Sequence, residues 1–97
     1  MSRIQRLREL TPKQAERRLR RLLDEGRFQP APKAVRKLRR RGLDLMDVES
    51  AIRAGRVLGS KEKGKIKLYV LEGVSIDGVL IKLVFDLHKH LVLEDLE

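Results

Sequence analysis

The chain has 97 residues, of which 41% are hydrophobic. That suffices for one core and excludes a disordered basic tail. It holds no cysteine, which excludes a disulfide frame, a thiolate metal site and a cysteine nucleophile. The net charge of +9 is lopsided: residues 1–43 carry fifteen Lys or Arg against four acids, and residues 44–97 carry eight against ten. Twelve of the fifteen are Arg, whose planar fork matches phosphate oxygens. Such a field attracts a polyanion, nucleic acid above all, or an acidic protein. A merely solubilising surface would interleave both signs. With no leader or long apolar run, the reading is of a soluble, cytoplasmic protein without a membrane partner.

Residues 1–10 read as a basic arm or frayed turn, with Ile4, Leu7 and Leu10 at every third position. A helix then starts at Thr11. Thr11 and Gln14 form a capping box around Pro12, and Ala15, Leu19, Leu22 and Leu23 make one apolar stripe up to Gly26. Gln29-Pro30-Ala31-Pro32 reads as a rigid break. A second helix spans Pro32 to Arg41, burying Ala34, Val35 and Leu38 and closing at Gly42. Asp44 caps a third helix that buries Leu45, Val48, Ala51 and Ile52 and stops at Gly55. Gly55 to Gly59 is no phosphate loop, since it lacks the preceding strand and the following Lys-Ser/Thr.

Beyond Gly55 the apolar period changes from 3.6 to 2. Val57-Leu58 suggests a short edge strand and Lys61 to Gly64 a polar loop. Lys65 to Ile76 and Val79 to Leu87 alternate, joined by Asp77-Gly78 as a two-residue hairpin turn. His88-Lys89-His90 turns the chain into a last strand from Leu91. The expected fold class is therefore α+β: two to three N-terminal helices on one face of a C-terminal antiparallel sheet of three to four strands, in a single domain over 1–97.

A two-residue turn sets Ile76 opposite Val79 and fixes the rest of the pairing. One face then holds Ile66, Leu68, Val70, Val74 and Ile76 with Val79, Ile81, Leu83, Phe85 and Leu87, and forms the core. The other face gathers Lys67, Tyr69, Lys82, Asp86 and His88. Lys67 and Lys82 are candidate cations for a phosphate, Tyr69 and His88 candidate acid and base, and Asp86 their orienting partner, as RNA cleavage by the 2′-hydroxyl needs. An ordinary half-exposed sheet surface accounts for the same residues. No cofactor or metal is implied, since His88 and His90 would supply only part of a site. The candidate nucleic-acid contacts are Arg17, Arg18, Arg20 and Arg21 on the first helix and Arg36, Lys37, Arg39 and Arg40 on the second. Two Phe, one Tyr and no Trp argue against an aromatic platform for bases.

Lys33 to Val57 carries a motif of Arg41-Gly42-Leu43, a capped helix with Val48-Glu49-Ser50-Ala51-Ile52, then Gly55-Arg56-Val57. This motif, with the hairpin Gly78-Val79-Leu80-Ile81-Lys82-Leu83-Val84, resembles the RelE/MqsR-like toxin superfamily over about residues 13–94. The resemblance implies a RelE-like fold and a metal-independent endoribonuclease of a toxin–antitoxin pair, with RNA or the ribosome and an antitoxin protein as partners. Lys82 matches those relatives, and Lys61 or Lys63 stands where they hold a loop lysine. Leu80 stands where they hold a catalytic Tyr, and Glu94-Asp95-Leu96-Glu97 where they end in a basic tail. The alternatives are a non-catalytic nucleic-acid- or ribosome-binding module of the same fold, and a homo-oligomer or subunit whose basic face docks an acidic protein.

Overall fold

The computed structural model describes residues 10–88 and 90–97. The expected basic arm, apart from Leu10, and Lys89 lie outside the described residues. Helices α1 (Pro12–Asp24), α2 (Pro32–Arg40) and α3 (Leu45–Ala54) precede most of a five-stranded sheet. Its strands are β1 (Phe28–Pro30), β2 (Arg56–Lys63), β3 (Ile66–Val74), β4 (Leu80–Asp86) and β5 (Leu91–Leu96), in the order β1-β5-β4-β3-β2. The class is α+β. The expectation of three to four antiparallel strands needs correction, because β1 adds a fifth strand and runs parallel to β5. The rigid break of the sequence is thus an edge strand: the Leu91 N–H donates to the Arg27 carbonyl and the Ala31 N–H to the Leu93 carbonyl. Pro30 is tolerated because an edge strand needs hydrogen bonds on one side only.

Local chemistry explains the helix boundaries. The Gln14 N–H donates to the Thr11 hydroxyl at 3.2 Å, and the Gln14 side chain takes the Thr11 N–H at 2.9 Å. Asp44 and Asp47 repeat that capping box at α3. Gly42, at φ 72°, supplies the left-handed residue that ends α2. The inward stripes Ala15-Leu19-Leu22, Ala34-Leu38 and Val48-Ala51-Ile52 join one core with Tyr69, Leu71, Ile81, Leu83, Phe85, Leu91 and Leu93. Leu45, expected in the core, is instead 42% exposed.

The β3–β4 register differs from the expected one by a single residue. Ser75, not Ile76, closes the hairpin: its N–H donates to the Val79 carbonyl at 2.8 Å, and the Val79 N–H donates to the Ser75 hydroxyl at 3.0 Å. Ile76, Asp77 and Gly78 form a three-residue loop, with Gly78 at φ 86° taking the left-handed position such loops require. Val74 therefore pairs with Leu80, Glu72 with Lys82 and Tyr69 with Phe85. A one-residue slip turns a whole strand over. On β3 the core side chains are Tyr69 and Leu71, while Leu68, Val70 and Val74 face the other way. The core face expected for β4 stands at Ile81, Leu83, Phe85 and Leu87, which are buried, but not at Val79, which is 53% exposed. The expected Lys61–Gly64 loop is mostly strand, since β2 pairs with β3 out to Lys63 opposite Ile66.

Gly73 shows why the slip is favourable. A Cβ there would lie 2.5 Å from the Ala51 carbonyl oxygen and 2.8 Å from the Ala51 Cα. Helix α3 thus rests its backbone directly on β3, and the register that turns Glu72 outward puts the glycine beneath the helix. Replacing Gly73 with Ala overpacks this contact and should cost about 1–3 kcal/mol or more. Gly59→Ala, where an added Cβ meets nothing within 4 Å, should stay within about 0.5 kcal/mol. Urea denaturation of the two variants checks both values, and equal stabilities would refute the close approach.

Candidate nucleic-acid interface

Helix α1 presents Gln14, Arg17, Arg18 and Arg21 along one stripe at helical spacing, and these residues line a shallow open cleft with Leu10. They do not all serve one purpose. Arg17 and Arg21 are exposed and have no acidic or carbonyl partner among the described residues. Arg18 instead reaches the β4–β5 connection, donating from Nε to the Leu87 carbonyl at 2.7 Å and from Nη2 to the His88 carbonyl at 2.6 Å. Arg20 points another way. It donates to the Ile52 carbonyl at 3.0 Å and the Gly55 carbonyl at 2.7 Å, satisfying the end of α3. Two of the four nominated arginines of α1 therefore hold the fold together.

Glu16 completes that junction and was not singled out by the sequence pattern. It is 7% exposed, and its Oε2 accepts the Val57 N–H at 2.9 Å. Lys13 lies 3.9 Å and Arg20 4.0 Å from its Oε1. The only sequence signal is its place beside Ala15 and one turn before Leu19, at the margin of the apolar stripe. A buried carboxylate there needs both a donor and a cation, and Val57 and Arg20 provide them.

On α2 the cations divide by face. Lys33 and Lys37 turn to Asp95 of β5, at 3.4 and 2.6 Å. Arg36, Arg39 and Arg40, at i, i+3 and i+4, are exposed and have no partner among the described residues, and the adjoining Arg41 is in the same condition. Basic side chains near a helix C-terminus gain from its dipole, but that gain needs no such number of them. Partial burial by itself raises the Asp95 carboxyl. The Lys37 hydrogen bond, the Leu96 N–H and the Lys37 and Lys33 charges outweigh burial and hold it below the ordinary carboxylate range.

The lengths of α2, the turn and α3 match a helix-turn-helix. The charges do not: α3 carries Asp47 and Glu49, its Arg53 pairs with Asp24 at 2.7 Å and with Glu49 at 3.5 Å, and it lies on β3. Those two carboxylates hold the Arg53 guanidinium above its usual range. The second helix of the unit therefore offers no unpaired basic side chain among the described residues.

The four side chains nominated for cleavage do not converge. Tyr69 faces the helices, 5% exposed, and its hydroxyl accepts the Leu10 N–H at 2.8 Å. Lys67 lies on that same face and bonds Glu62 at 3.1 Å. Lys82 lies on the opposite face, in register with Glu72. His88 follows the end of β4, its N–H held at 2.9 Å by the Asp86 carboxylate. The shared surface expected from a two-residue turn is thus corrected by the three-residue loop.

No family model, curated protein or solved structure matches the chain. No helix among the described residues is long and apolar enough to cross a membrane.

Two outcomes follow from this geometry. Arg18→Ala and Arg20→Ala each leave carbonyls without their charged donor and should cost about 1.5–3 kcal/mol, whereas Arg17→Ala and Arg21→Ala should cost about 0.5 kcal/mol or less; chemical denaturation separates the two classes. Asp95, with a folded pKa below its unfolded value, contributes stability that is fully present above the ordinary carboxylate range and is lost as pH falls through the lowered folded value. Acid titration of unfolding should therefore show a smaller loss below about pH 4 in Asp95→Asn than in the parent.

Proposed function

We propose that the chain is a nucleic-acid-binding module that grips backbone phosphates, with RNA as its first candidate ligand, through Arg17 and Arg21 of α1, Arg36, Arg39 and Arg40 of α2, and the adjoining Arg41. The observation that carries this reading is the division of labour among the arginines. Arg18, Arg20 and Arg53 are engaged by carbonyls or carboxylates, while five arginines on two helices and Arg41 just after the second stand exposed without partners among the described residues. Unneutralised positive charge on a fold costs self-repulsion, and a polyanion relieves it.

Recognition is by backbone rather than base. Phe85 and Tyr69 are buried and Phe28 is half-buried, and the chain has no other Phe, Tyr or Trp. Stacking on such rings, worth about 1–3 kcal/mol per base where it occurs, therefore has no exposed Phe, Tyr or Trp platform. Phosphate contacts position a protein without carrying sequence information. The resemblance to RelE/MqsR-like toxins supports RNA and a RelE-like relationship. Cleavage loses its support with the separation of Lys82 from Tyr69, so binding is the reading advanced.

The test is fluorescence anisotropy on an RNA hairpin, a single strand and a DNA duplex across a salt series. Affinity should fall steeply with salt and stay unchanged when the RNA sequence is scrambled. Arg17→Ala with Arg21→Ala, and separately Arg36→Ala with Arg39→Ala and Arg40→Ala, should flatten the log–log slope by about 0.7–0.9 per contact removed. An unchanged slope in both variants would overturn the proposal.

A further inference from the structure

Four cations of α2 lie on one stripe: Lys33, Arg36, Lys37 and Arg40, at i, i+3, i+4 and i+7. The stripe is divided in use. Arg36 and Arg40 are exposed without partners among the described residues. Lys33 and Lys37 share a single carboxylate. Asp95 Oδ2 lies 3.4 Å from the Lys33 Nζ, and Asp95 Oδ1 accepts from the Lys37 Nζ at 2.6 Å. The Leu96 N–H donates to the same Oδ1 at 2.8 Å, so the carboxylate is held in place by its own strand.

Lys33 also leads from the stripe into a cleft of about 300 Å³, which it lines with Lys61 and Lys63 of β2 and Glu94 and Asp95 of β5. Lys61 is engaged as well, donating from Nζ to the Glu97 Oε2 at 2.8 Å. Two carboxylates two residues apart thus occupy three lysines. These pairs are not buried. The side chains of Lys33, Lys37 and Asp95 are 49%, 35% and 30% exposed, and ion pairs at that exposure bind weakly. Another anion can reach the same ammonium groups.

We infer that the phosphate track of α2 includes Lys33 and Lys37, and that Asp95 masks them by standing where an RNA phosphate would bind. The inference rests on the phosphate-binding reading above. A carboxylate and a phosphate present the same kind of charged oxygens to an ammonium group, and Asp95 receives two ammonium groups as one bridging phosphate would. With Asp95 in place, the two lysines and the carboxylate sum to a single positive charge, and an incoming phosphate meets a like charge beside them. Without that charge, four cations run without interruption along two turns of α2. The consequence for function is a grip on RNA held weaker than the cations of α2 allow.

The salt dependence of binding to a labelled RNA hairpin separates a mask from simple charge. Asp95→Asn keeps the shape of the side chain and an oxygen for the Leu96 N–H. It should bind more tightly than the parent, and its log–log salt slope should steepen by about 0.7–0.9 for each lysine released. Asp77→Asn removes an equal charge from the β3–β4 loop and should leave the slope unchanged. Adding Lys33→Gln and Lys37→Gln to Asp95→Asn should return the slope to that of the parent. A second measurement needs no variant: amine labelling read by mass spectrometry should find Lys33 and Lys37 of the parent as reactive with the RNA bound as without it. The inference is overturned if Asp95→Asn is no steeper than Asp77→Asn, if the gain survives the loss of both lysines, or if RNA protects Lys33 and Lys37 in the parent. A parent that binds RNA, with an unaltered slope in Asp95→Asn, sinks the mask alone. RNA binding by neither protein sinks the phosphate-binding reading with it.

Discussion

The contact between the Ala51 backbone and Gly73 is the constraint from which most of the remaining structure follows. No side chain separates α3 from β3 at that point, and a Cβ on Gly55 would likewise meet the Ala51 and Glu72 carbonyl oxygens. Once Gly73 lies under the helix, alternation sends Leu71 and Tyr69 into the core and turns Glu72 to the other face, opposite Lys82. The Ser75–Val79 loop is the turn compatible with that phase. The burial of Tyr69, the outward position of Lys82 and the apolar hairpin tip are all consequences of one close approach.

The charge of the chain is organised by the same packing. Glu16 and Arg20 join α1 to the end of α3 and the start of β2, where a bulge at Leu58 interrupts the ladder. Arg18 holds the β4–β5 connection, and Lys33 and Lys37 fasten α2 to Asp95 of β5. These cations face carbonyls or carboxylates that the fold has gathered. What they leave over is positive on the outer faces of α1 and α2.

Much of this architecture was legible beforehand. Capping chemistry is local, so the Thr11–Gln14 and Asp44–Asp47 boxes marked the starts of α1 and α3 as the structure has them. The apolar stripes of the helices named most of their buried residues. The phase of β3 was not legible, because Leu68 and Val70 occupy one parity and Tyr69 and Leu71 the other, and both are apolar. Leu68 and Val84 are buried on the face away from the helices, beside Lys33, Lys61 and Lys63, whose aliphatic stems shelter apolar surface. With both faces apolar, alternation names the strand but not its orientation. The turn then decides, and Asp77-Gly78 serves a two-residue loop and a three-residue one equally well. β1 escaped notice because a short strand rich in proline has no period to detect; its pairing is supplied by β5.

The sequence by itself determined the α+β class, the helix starts, the segregation of positive charge and the set of residues available to a core, because these depend on neighbours within one or two turns of chain. It determined the presence of twelve arginines in the N-terminal half but not their employment. Only the tertiary structure decided that Arg18 and Arg20 serve carbonyls of distant segments while Arg17 and Arg21 remain available, and that Tyr69 and Lys82 lie on opposite faces. Those outcomes depend on partners from 10 to 70 positions away, and helical periodicity carries no information about what lies across the fold.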